Sequence, residues 1–329
     1  MCKHHCNTWF DLRRVGLQGQ GCIREAAFLA SIQVPCTQNI INPRIYIQRP
    51  DRQLVALKTI PGATYSRIEL GQDLSGRRVF IKSPLIPGKS LLYEACIQQM
   101  VRDSLDRGGF DRAAAEVHDI FKVSDGSTCF SMDMFEEAVP LSVLISRLPD
   151  ADLTSLVLEL LLQVSAMLHH LATDLGMNHR DLKPSNIMVE TRKQSHKIAL
   201  QVDGHRISIH SHVSISLIDF GFSCIGREDT QVSDLAIGDV YPAADPCPKR
   251  GRDIFMFLAF LYMDCGKRIG EDLRALFSKW LQNDVTGILR KIDRYGHEFD
   301  PWIYFITGNE GIRKFDCCPK NIFRDLVAQ

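Results

Sequence analysis

Short apolar segments separated by turn residues dominate the chain between residues 60 and 135. Residues 79–81, 117–123 and 129–135 are stretches of this kind, with Gly, Asp and Ser residues around them. Brief apolar runs bounded by turn residues are typical of β-strands. A helical pattern over residues 91–101 interrupts them. This part of the chain is therefore predicted to form a β-rich half with one helix.

The hydrophobic periodicity becomes helical after Pro140. Residues 153–171 are apolar on most sides, which is typical of a helix enclosed by other helices. Three further helices are predicted at residues 253–263, 270–282 and 284–293. The fold class is therefore predicted to be α+β, with a small β-rich half followed by a larger, mainly helical half.

The same patterns predict the domain boundaries. Residues 1–55 fit neither pattern and are expected to form an N-terminal extension of unknown role. A β-rich unit over residues 56–135 and a helical unit over residues 136–329 would follow it. A length of 329 residues suits a two-lobed enzyme or two modest domains.

Charge and composition exclude some classes of function. The 39 basic residues equal the 39 acidic ones, so no overall charge would attract nucleic acid. The N-terminus lacks the apolar run of a secretory signal, and the longest apolar stretch, residues 254–263, is shorter than the ~20 residues of a membrane-spanning helix. The eleven cysteines are scattered, which favours free thiols in a reducing compartment. We therefore expect a soluble, intracellular protein with no nucleic-acid partner and no membrane span.

Two short motifs carry the candidate chemistry. Residues 179–186 read H-R-D-L-K-P-S-N, and residues 217–221 read L-I-D-F-G after an alternating, strand-like segment. These motifs resemble the catalytic loop, H-R-D-L-x-x-x-N, and the magnesium-binding D-F-G segment of eukaryotic-type Ser/Thr protein kinases. The resemblance covers roughly residues 60–329. It implies a bilobal protein-kinase fold, with a small β-rich N-lobe and a larger helical C-lobe.

Phosphoryl transfer needs positioning and charge neutralisation more than covalent chemistry. The resemblance implies that Asp181 is the base facing the substrate hydroxyl and that Lys183, typical of Ser/Thr kinases, reaches the transferring phosphate. It also implies that Asn186 and Asp219 hold Mg²⁺, whose preference for hard ligands suits an amide oxygen and a carboxylate. The expected cofactors are ATP and Mg²⁺, and the expected partners are protein substrates with Ser or Thr hydroxyls.

Two lysines compete for the role of phosphate anchor. Lys58 ends the sequence V-A-L-K, which is closer to the family motif V-A-I-K, but no glycine-rich turn precedes it. Lys82 ends V-F-I-K, follows such a turn, and lies nearer to the family's usual distance from Asp181. We therefore prefer Lys82 and keep Lys58 as the alternative. Glu94, on the predicted helix, would pair with Lys82, although the interval between them is shorter than typical.

The glycine-rich nucleotide loop of the family, G-x-G-x-x-G-x-V, is only partly present upstream of Lys82. Gly62 is its one clear glycine, Tyr65 would lie at the tip of the loop, and Ile68 would cover the adenine. Glycines let backbone N–H groups approach phosphates closely, so their loss predicts weaker or altered contact with the nucleotide.

The hinge between the lobes corresponds to residues 130–135. By resemblance, Met132 is the gatekeeper, and the backbone of Asp133 and Met134 meets the adenine edge. Methionines at these positions fit plain core packing equally well. Both interpretations therefore stay open.

An additional hairpin pattern lies between the two motifs, at about residues 195–212. Apolar residues alternate with polar ones on both sides of Asp203-Gly204, a typical two-residue turn. A similar insertion is found in haspin-like kinases and in kinases encoded by large DNA viruses. A virally encoded protein of this kind would act in the host cytoplasm or in virions.

Further positions concern regulation and support of the catalytic loop. Thr230 and Ser233 are the nearest hydroxyls that could carry an activating phosphate for Arg180 to bind, and the sequence does not decide whether activity needs one. Asp253 begins an apolar helix and is expected to brace the catalytic loop from below. A helix N-cap is a compatible role for the same residue.

Three functions are compatible with these residues. An active Ser/Thr kinase is favoured because Asp181, Lys183, Asn186 and Asp219 are all present. A catalytically silent scaffold with a kinase fold, a pseudokinase, would explain the eroded glycine loop. A small-molecule phosphotransferase shares the fold, but it seldom carries a lysine and a proline at the positions that follow the base here.

Overall fold

The chain divides into two compact units, one formed by Met1–Asp103 with Ala114–Glu136 and the other by Ser104–Ala113 with Glu137–Gln329. The computed structural model describes residues 46–48, 53–60, 66–73, 76–123, 125–225, 248–282, 286–313 and 317–328. Most of the described helices belong to the second unit, whereas the first is built around a sheet. The α+β class predicted from the sequence is confirmed.

The described part of the first unit contains an antiparallel sheet with the strand order β1-β2-β3-β4-β6-β5. Its strands are β1 (Tyr46–Gln48), β2 (Gln53–Ile60), β3 (Ser66–Asp73), β4 (Arg78–Pro84), β5 (Val117–Lys122) and β6 (Thr128–Asp133). Helix α1 (Leu92–Arg107) lies between β4 and β5 in the chain.

The alternation of side chains gives this sheet two apolar faces. One face holds a buried cluster formed by Leu54, Val79, Ile81, Phe121, Val123 and Cys129. The opposite face packs against α1, whose Leu92, Ala95 and Cys96 contact Ile120 and Phe130. Lys82 follows Ile81 directly in β4, so its side chain points to the face that α1 covers.

The sheet begins before residue 56, where the sequence predicted the boundary of the β-rich unit. Strand β1 pairs with β2, and Leu54 of β2 is buried in the core cluster. The described sheet therefore includes residues before 56, and the domain boundary at that position stays a prediction.

Two long apolar helices form the centre of the second unit, α3 (Asp150–Asp174) and α4 (Arg252–Cys265). Residues 254–261 of α4 are all buried, which explains why this stretch lacks a polar face. The other described helices are α2 (Leu141–Arg147), α5 (Glu271–Leu281), α6 (Ile288–Tyr295), α7 (Asp300–Gly308) and α8 (Pro319–Val327). The helices predicted around residues 153–171 and beyond residue 253 are present, with ends shifted by a few residues.

A long hairpin connects the two sequence motifs. Strand β9 (Ile187–Val202) pairs antiparallel with β10 (His205–Leu217), and Asp203-Gly204 forms the turn. The paired strands extend beyond residues 195–212 at both ends. At the tip, Asp203 forms ion pairs with Lys320 and, at 3.7 Å, with Arg324 of α8. The hairpin is therefore anchored at both of its ends within the second unit.

Three short strands complete the described second unit. Strand β7 (Ala138–Pro140) pairs with β9, and β8 (Met177–Asn178) pairs with β11 (Cys224–Ile225). The β8–β11 pairing brings the residues before the H-R-D motif next to the residues after the D-F-G motif. Each motif thus lies between two paired strands: β8 and β9 flank the H-R-D segment, and β10 and β11 flank the D-F-G segment.

One described helix, α3, is long and apolar enough to cross a membrane by length and composition. Its apolar window is 61% buried inside the protein, and a buried core helix meets the same criteria. This helix is therefore no sign of a membrane span.

The cysteines depart in one place from the expected free thiols. Five described cysteines are buried thiols, namely Cys96, Cys129, Cys265, Cys317 and Cys318. Burial raises the pKa of the Cys129 thiol to about 11, which keeps it protonated and unreactive at neutral pH. Cys224, by contrast, is disulfide-bonded. The expectation of free thiols is wrong at that position.

Candidate active site

A buried carboxylate supports the H-R-D segment from below. Asp253, near the start of α4, accepts hydrogen bonds from the backbone N–H groups of His179 and Arg180, both at 2.8 Å. It also accepts one from Asn178 Nδ2 at 3.2 Å. A carboxylate that is only 5% exposed needs such donors to offset its loss of water. The bracing role predicted for Asp253 is confirmed.

Both motifs contain a residue with left-handed backbone. Arg180 has a φ of 68° and Asp219 a φ of 66°, a region that non-glycine residues rarely occupy. Such conformations persist where the surrounding structure enforces them, and they occur often at functional sites. Here the enforcing contacts include the Asp253 brace under Arg180 and the 3₁₀ turn Phe220–Phe222 directly after Asp219.

Two side chains of the H-R-D-L-K-P-S-N segment converge on the carboxylate of a third residue, Asp181. Asp181 Oδ2 accepts a hydrogen bond from Asn186 Nδ2 at 2.9 Å, and Asp181 Oδ1 accepts one from Lys183 Nζ at 3.1 Å. Asn186 Nδ2 also donates to the Asp181 carbonyl oxygen at 2.8 Å. The candidate base is thus held in one orientation by an amide and a cation.

The D-F-G segment is tied to the same loop through the backbone. Ile218 N donates to Asn186 O at 3.1 Å, and His179 Nε2 lies 3.0 Å from Ile218 O. Since Asp219 is the next residue, these bonds bring the two predicted metal ligands onto adjacent segments. The H-R-D and D-F-G motifs therefore form one connected unit of structure.

The side chains at this point fit Mg²⁺ by their donor chemistry. Both hydrogens of Asn186 Nδ2 are donated to Asp181, which turns the amide oxygen of Asn186 away from the base. That oxygen and the Asp219 carboxylate are hard ligands of the type Mg²⁺ prefers. The described residues contain no group of three or more His, Cys, Asp or Glu that could hold a metal. A site with two protein ligands suits Mg²⁺, which often keeps water and phosphate oxygens as its other ligands.

The predicted phosphate anchor lies in the first unit. Lys82 Nζ of β4 lies 2.5 Å from Glu94 Oε1, in the first turn of α1, and both side chains are buried. Ile68 of β3 is directly opposite Lys82 in the sheet, so the two side chains share a face. Lys58 of β2 is exposed. The structure therefore joins Lys82 to Glu94 and gives the competing lysine a solvated position.

The predicted hinge residues have partners of their own. Gln98 Nε2 lies 3.3 Å from Met132 Sδ, and Met134 is half-buried just after β6. The Asp133 N–H donates to Glu116 O at 3.0 Å, so contact with an adenine would have to use another atom of Asp133. Burial acts to raise the pKa of the Asp133 carboxyl, but the hydrogen bond and charge of His118 outweigh burial and lower it.

Several predicted positions lie outside the described residues. These are Gly62 and Tyr65 of the nucleotide loop, and Thr230 and Ser233 as candidate phosphorylation sites. Their roles remain predictions from the sequence.

One residue at the site was not predicted. Tyr304 of α7 donates its hydroxyl hydrogen to Asp181 Oδ1 and lies 3.1 Å from Lys183 Nζ. No local pattern indicates this contact, because Tyr304 is far from the motif in the chain and resembles the other aromatic residues of an apolar helix.

The fold is similar to that of a solved protein, the BubR1 kinase domain. The similarity has a TM-score of 0.56 and covers 93% of this chain and 89% of that one. The chain has a protein-kinase fold. At 15% sequence identity, this likeness concerns the fold and not the activity. In this kinase fold, the H-R-D segment follows β8 and the D-F-G segment follows β10.

A second solved kinase domain, named PF14_0431, is also 15% identical, covers 82% of this chain and 94% of that one, and has a TM-score of 0.37. No protein-family model matches the sequence, and no curated protein does. The assignment to a kinase fold therefore depends on the three-dimensional structure.

Proposed function

We propose that this chain is a protein kinase that transfers the γ-phosphoryl group of ATP to a Ser or Thr hydroxyl of protein substrates. The observation that carries the proposal is the arrangement around Asp181. Its carboxylate is held by Asn186 and Lys183, in a loop that the buried Asp253 braces. A positioned carboxylate beside a cation is what a phosphoryl-transfer site requires of its protein.

Each of these residues would have a defined task in the proposed reaction. Asp181 would accept the proton of the substrate hydroxyl, while Lys183 would neutralise charge on the transferring phosphoryl group. Asn186 and Asp219 would hold Mg²⁺, which supplies further charge neutralisation when it is bound. Lys82, oriented by its ion pair with Glu94, would bind the phosphates of ATP.

The preference for Ser and Thr rests on the resemblance of the catalytic loop, in which Lys183 is typical of Ser/Thr kinases. The hairpin formed by β9 and β10 supports a relation to the haspin-like and viral kinases, whose insertion lies between the same two motifs. We therefore also propose action inside the cell, in the cytoplasm of an infected host if the protein is viral.

Incubation of the chain with γ-labelled ATP, Mg²⁺ and generic protein substrates such as casein tests this function. We expect label on phosphoserine and phosphothreonine after acid hydrolysis, with a requirement for Mg²⁺. Label on phosphotyrosine alone would contradict the proposed specificity. Label on a small-molecule acceptor alone would favour a small-molecule phosphotransferase.

Thermal unfolding in the same samples separates an inactive scaffold from a misassigned nucleotide site. If ATP raises the melting temperature but no acceptor is labelled, the chain binds nucleotide without catalysis, and the scaffold function replaces the kinase function. If ATP leaves the melting temperature unchanged and no acceptor is labelled, the assignment of the nucleotide site is wrong. Ligand that binds the folded state must raise its stability by mass action.

A further inference from the structure

Tyr304 contacts both residues that the proposed function assigns to the transfer step. Its hydroxyl donates to Asp181 Oδ1, the candidate base, and lies 3.1 Å from Lys183 Nζ, the candidate cation at the phosphate. Since an ammonium group can only donate, the tyrosine oxygen is the acceptor in that second contact. One phenol thus links the carboxylate and the ammonium group.

The Tyr304 ring is fixed in place by its helix and by an aromatic neighbour. It packs edge-on against Phe260 of α4, with ring centroids 5.6 Å apart. Ile303 and Ile306, on either side of it in the chain, are buried. Lys249 Nζ donates to Gly308 O at 2.5 Å and so holds the end of α7. A ring packed in this way presents its hydroxyl from a fixed position.

The lone pairs of Asp181 leave room for a substrate. A carboxylate offers about four acceptor positions, two on each oxygen. Among the described residues, Tyr304 and Lys183 use Oδ1, and Asn186 uses Oδ2. One position on Oδ2 therefore remains for the hydroxyl of a substrate. Tyr304 therefore leaves the last acceptor position of Asp181 open, as expected of a residue that orients the base.

We infer that Tyr304 is a positioning residue for phosphoryl transfer, which fixes the orientation of Asp181 and keeps the Lys183 ammonium group beside it. The inference rests on the proposed function. It adds a residue from a distant helix to a site whose other members come from the two motifs. A tyrosine that blocked the site would slow the reaction, and its substitution would raise the rate. The direction of the rate change on substitution of Tyr304 therefore separates a positioning role from a blocking role.

The Tyr304→Phe substitution removes the hydroxyl and keeps the ring that packs on Phe260. We expect kcat to fall by about tenfold to a hundredfold, because small errors in the placement of catalytic groups are costly. The KM for ATP should stay within about twofold, since the phenol is assigned no contact with the nucleotide. Tyr295→Phe removes a hydroxyl from an exposed tyrosine at the end of α6 and is the matched control, with unchanged kcat.

A double-mutant cycle shows whether the hydroxyl acts through Asp181. In an Asp181→Asn background, Tyr304→Phe should reduce the residual rate by clearly less than it reduces the wild-type rate, because the carboxylate that the phenol orients is gone and only its contact with Lys183 remains. An equal loss in both backgrounds would show a general structural effect and overturn the inference.

The remaining outcomes are also decisive. A rise in kcat for Tyr304→Phe would mean that the phenol blocks the base. An unchanged kcat would mean that the phenol neither blocks nor orients it. Either result, with an active wild-type chain, contradicts this inference and leaves the proposed function intact. A wild-type chain that transfers no phosphate contradicts the proposed function itself, and the inference falls with it.

Discussion

Lys82 Nζ lies 2.5 Å from Glu94 Oε1, and both side chains are only 5% exposed. The pair joins strand β4 to the first turn of helix α1. Removing water from two charges is costly, so a buried pair of this kind is stable only while both partners are present. Its two members are also the residues proposed to hold and orient the phosphates of ATP.

Lys82→Met should abolish phosphoryl transfer and lower the free energy of unfolding by about 3–5 kcal/mol, because it leaves the Glu94 carboxylate buried without its partner. Urea denaturation and the labelled-ATP assay measure the two effects separately. Adding Glu94→Leu should recover most of the stability, since both charges are then absent. Activity should stay lost in that double variant.

Lys58→Met provides the matched control, because Lys58 is an exposed lysine in the same sheet. We expect it to change neither activity nor stability. Loss of activity in Lys58→Met but not in Lys82→Met would show that the phosphate anchor has been assigned to the wrong strand.

Asp253→Ala should destabilise the catalytic loop, since it leaves the buried N–H groups of His179 and Arg180 without their acceptor. Each such group costs about 1–3 kcal/mol when its bond is lost. Hydrogen exchange of these two amides should become faster, and phosphoryl transfer should fall sharply. Asp253→Asn keeps one acceptor oxygen and should give an intermediate result. Equal exchange rates in all three proteins would refute the bracing role.

Asp264, near the end of α4, predicts a dependence of stability on pH. Burial raises the pKa of its carboxyl from 3.8 to about 6, and the negative charge of Asp300 adds to this, while His297 opposes it. The folded protein therefore binds this proton more tightly than the unfolded chain does. Its favourable contribution is present at pH 4 and is lost as the pH rises towards about 6.

Asp264→Asn should remove this loss of stability at higher pH, because an amide does not ionise. A pKa change from 3.8 to about 6 corresponds to at most about 3 kcal/mol, and we expect about 1–2 kcal/mol because the carboxyl keeps some contact with solvent. The variant should thus be more stable than the wild type at pH 7 and similar to it at pH 4. Asp111→Asn, at an exposed position, is the control. A stability difference that does not vary with pH would be inconsistent with this account.

The sequence predicted well those features that depend on neighbouring residues. The α+β class, the apolar helix α3 and the fully apolar centre of α4 follow from periodicity, because burial on all sides leaves no polar face. Asp181, Lys183 and Asn186 meet at one point for the same reason, since they belong to one short loop. Their catalytic roles remain predictions.

Features that depend on distant parts of the chain were missed. Tyr304 reaches Asp181 from α7, and nothing near it in the sequence indicates that contact. Strand β1 and the first residues of β2 lie before residue 56, and no local pattern in the sequence indicates a strand there. The hydrogen bond from Asp133 N–H to Glu116 O depends on the pairing of β5 with β6, which local patterns do not define.

Asp181 is proposed to act as the base in phosphoryl transfer, and a single-turnover rate measured at saturating ATP and Mg²⁺ tests this role. We predict that Asp181→Asn lowers this rate by about 10² to 10⁴, the usual contribution of a positioned base. ATP should still raise the melting temperature of the variant, and Asp111→Asn should keep the wild-type rate. Equal single-turnover rates for wild type and Asp181→Asn would contradict the account.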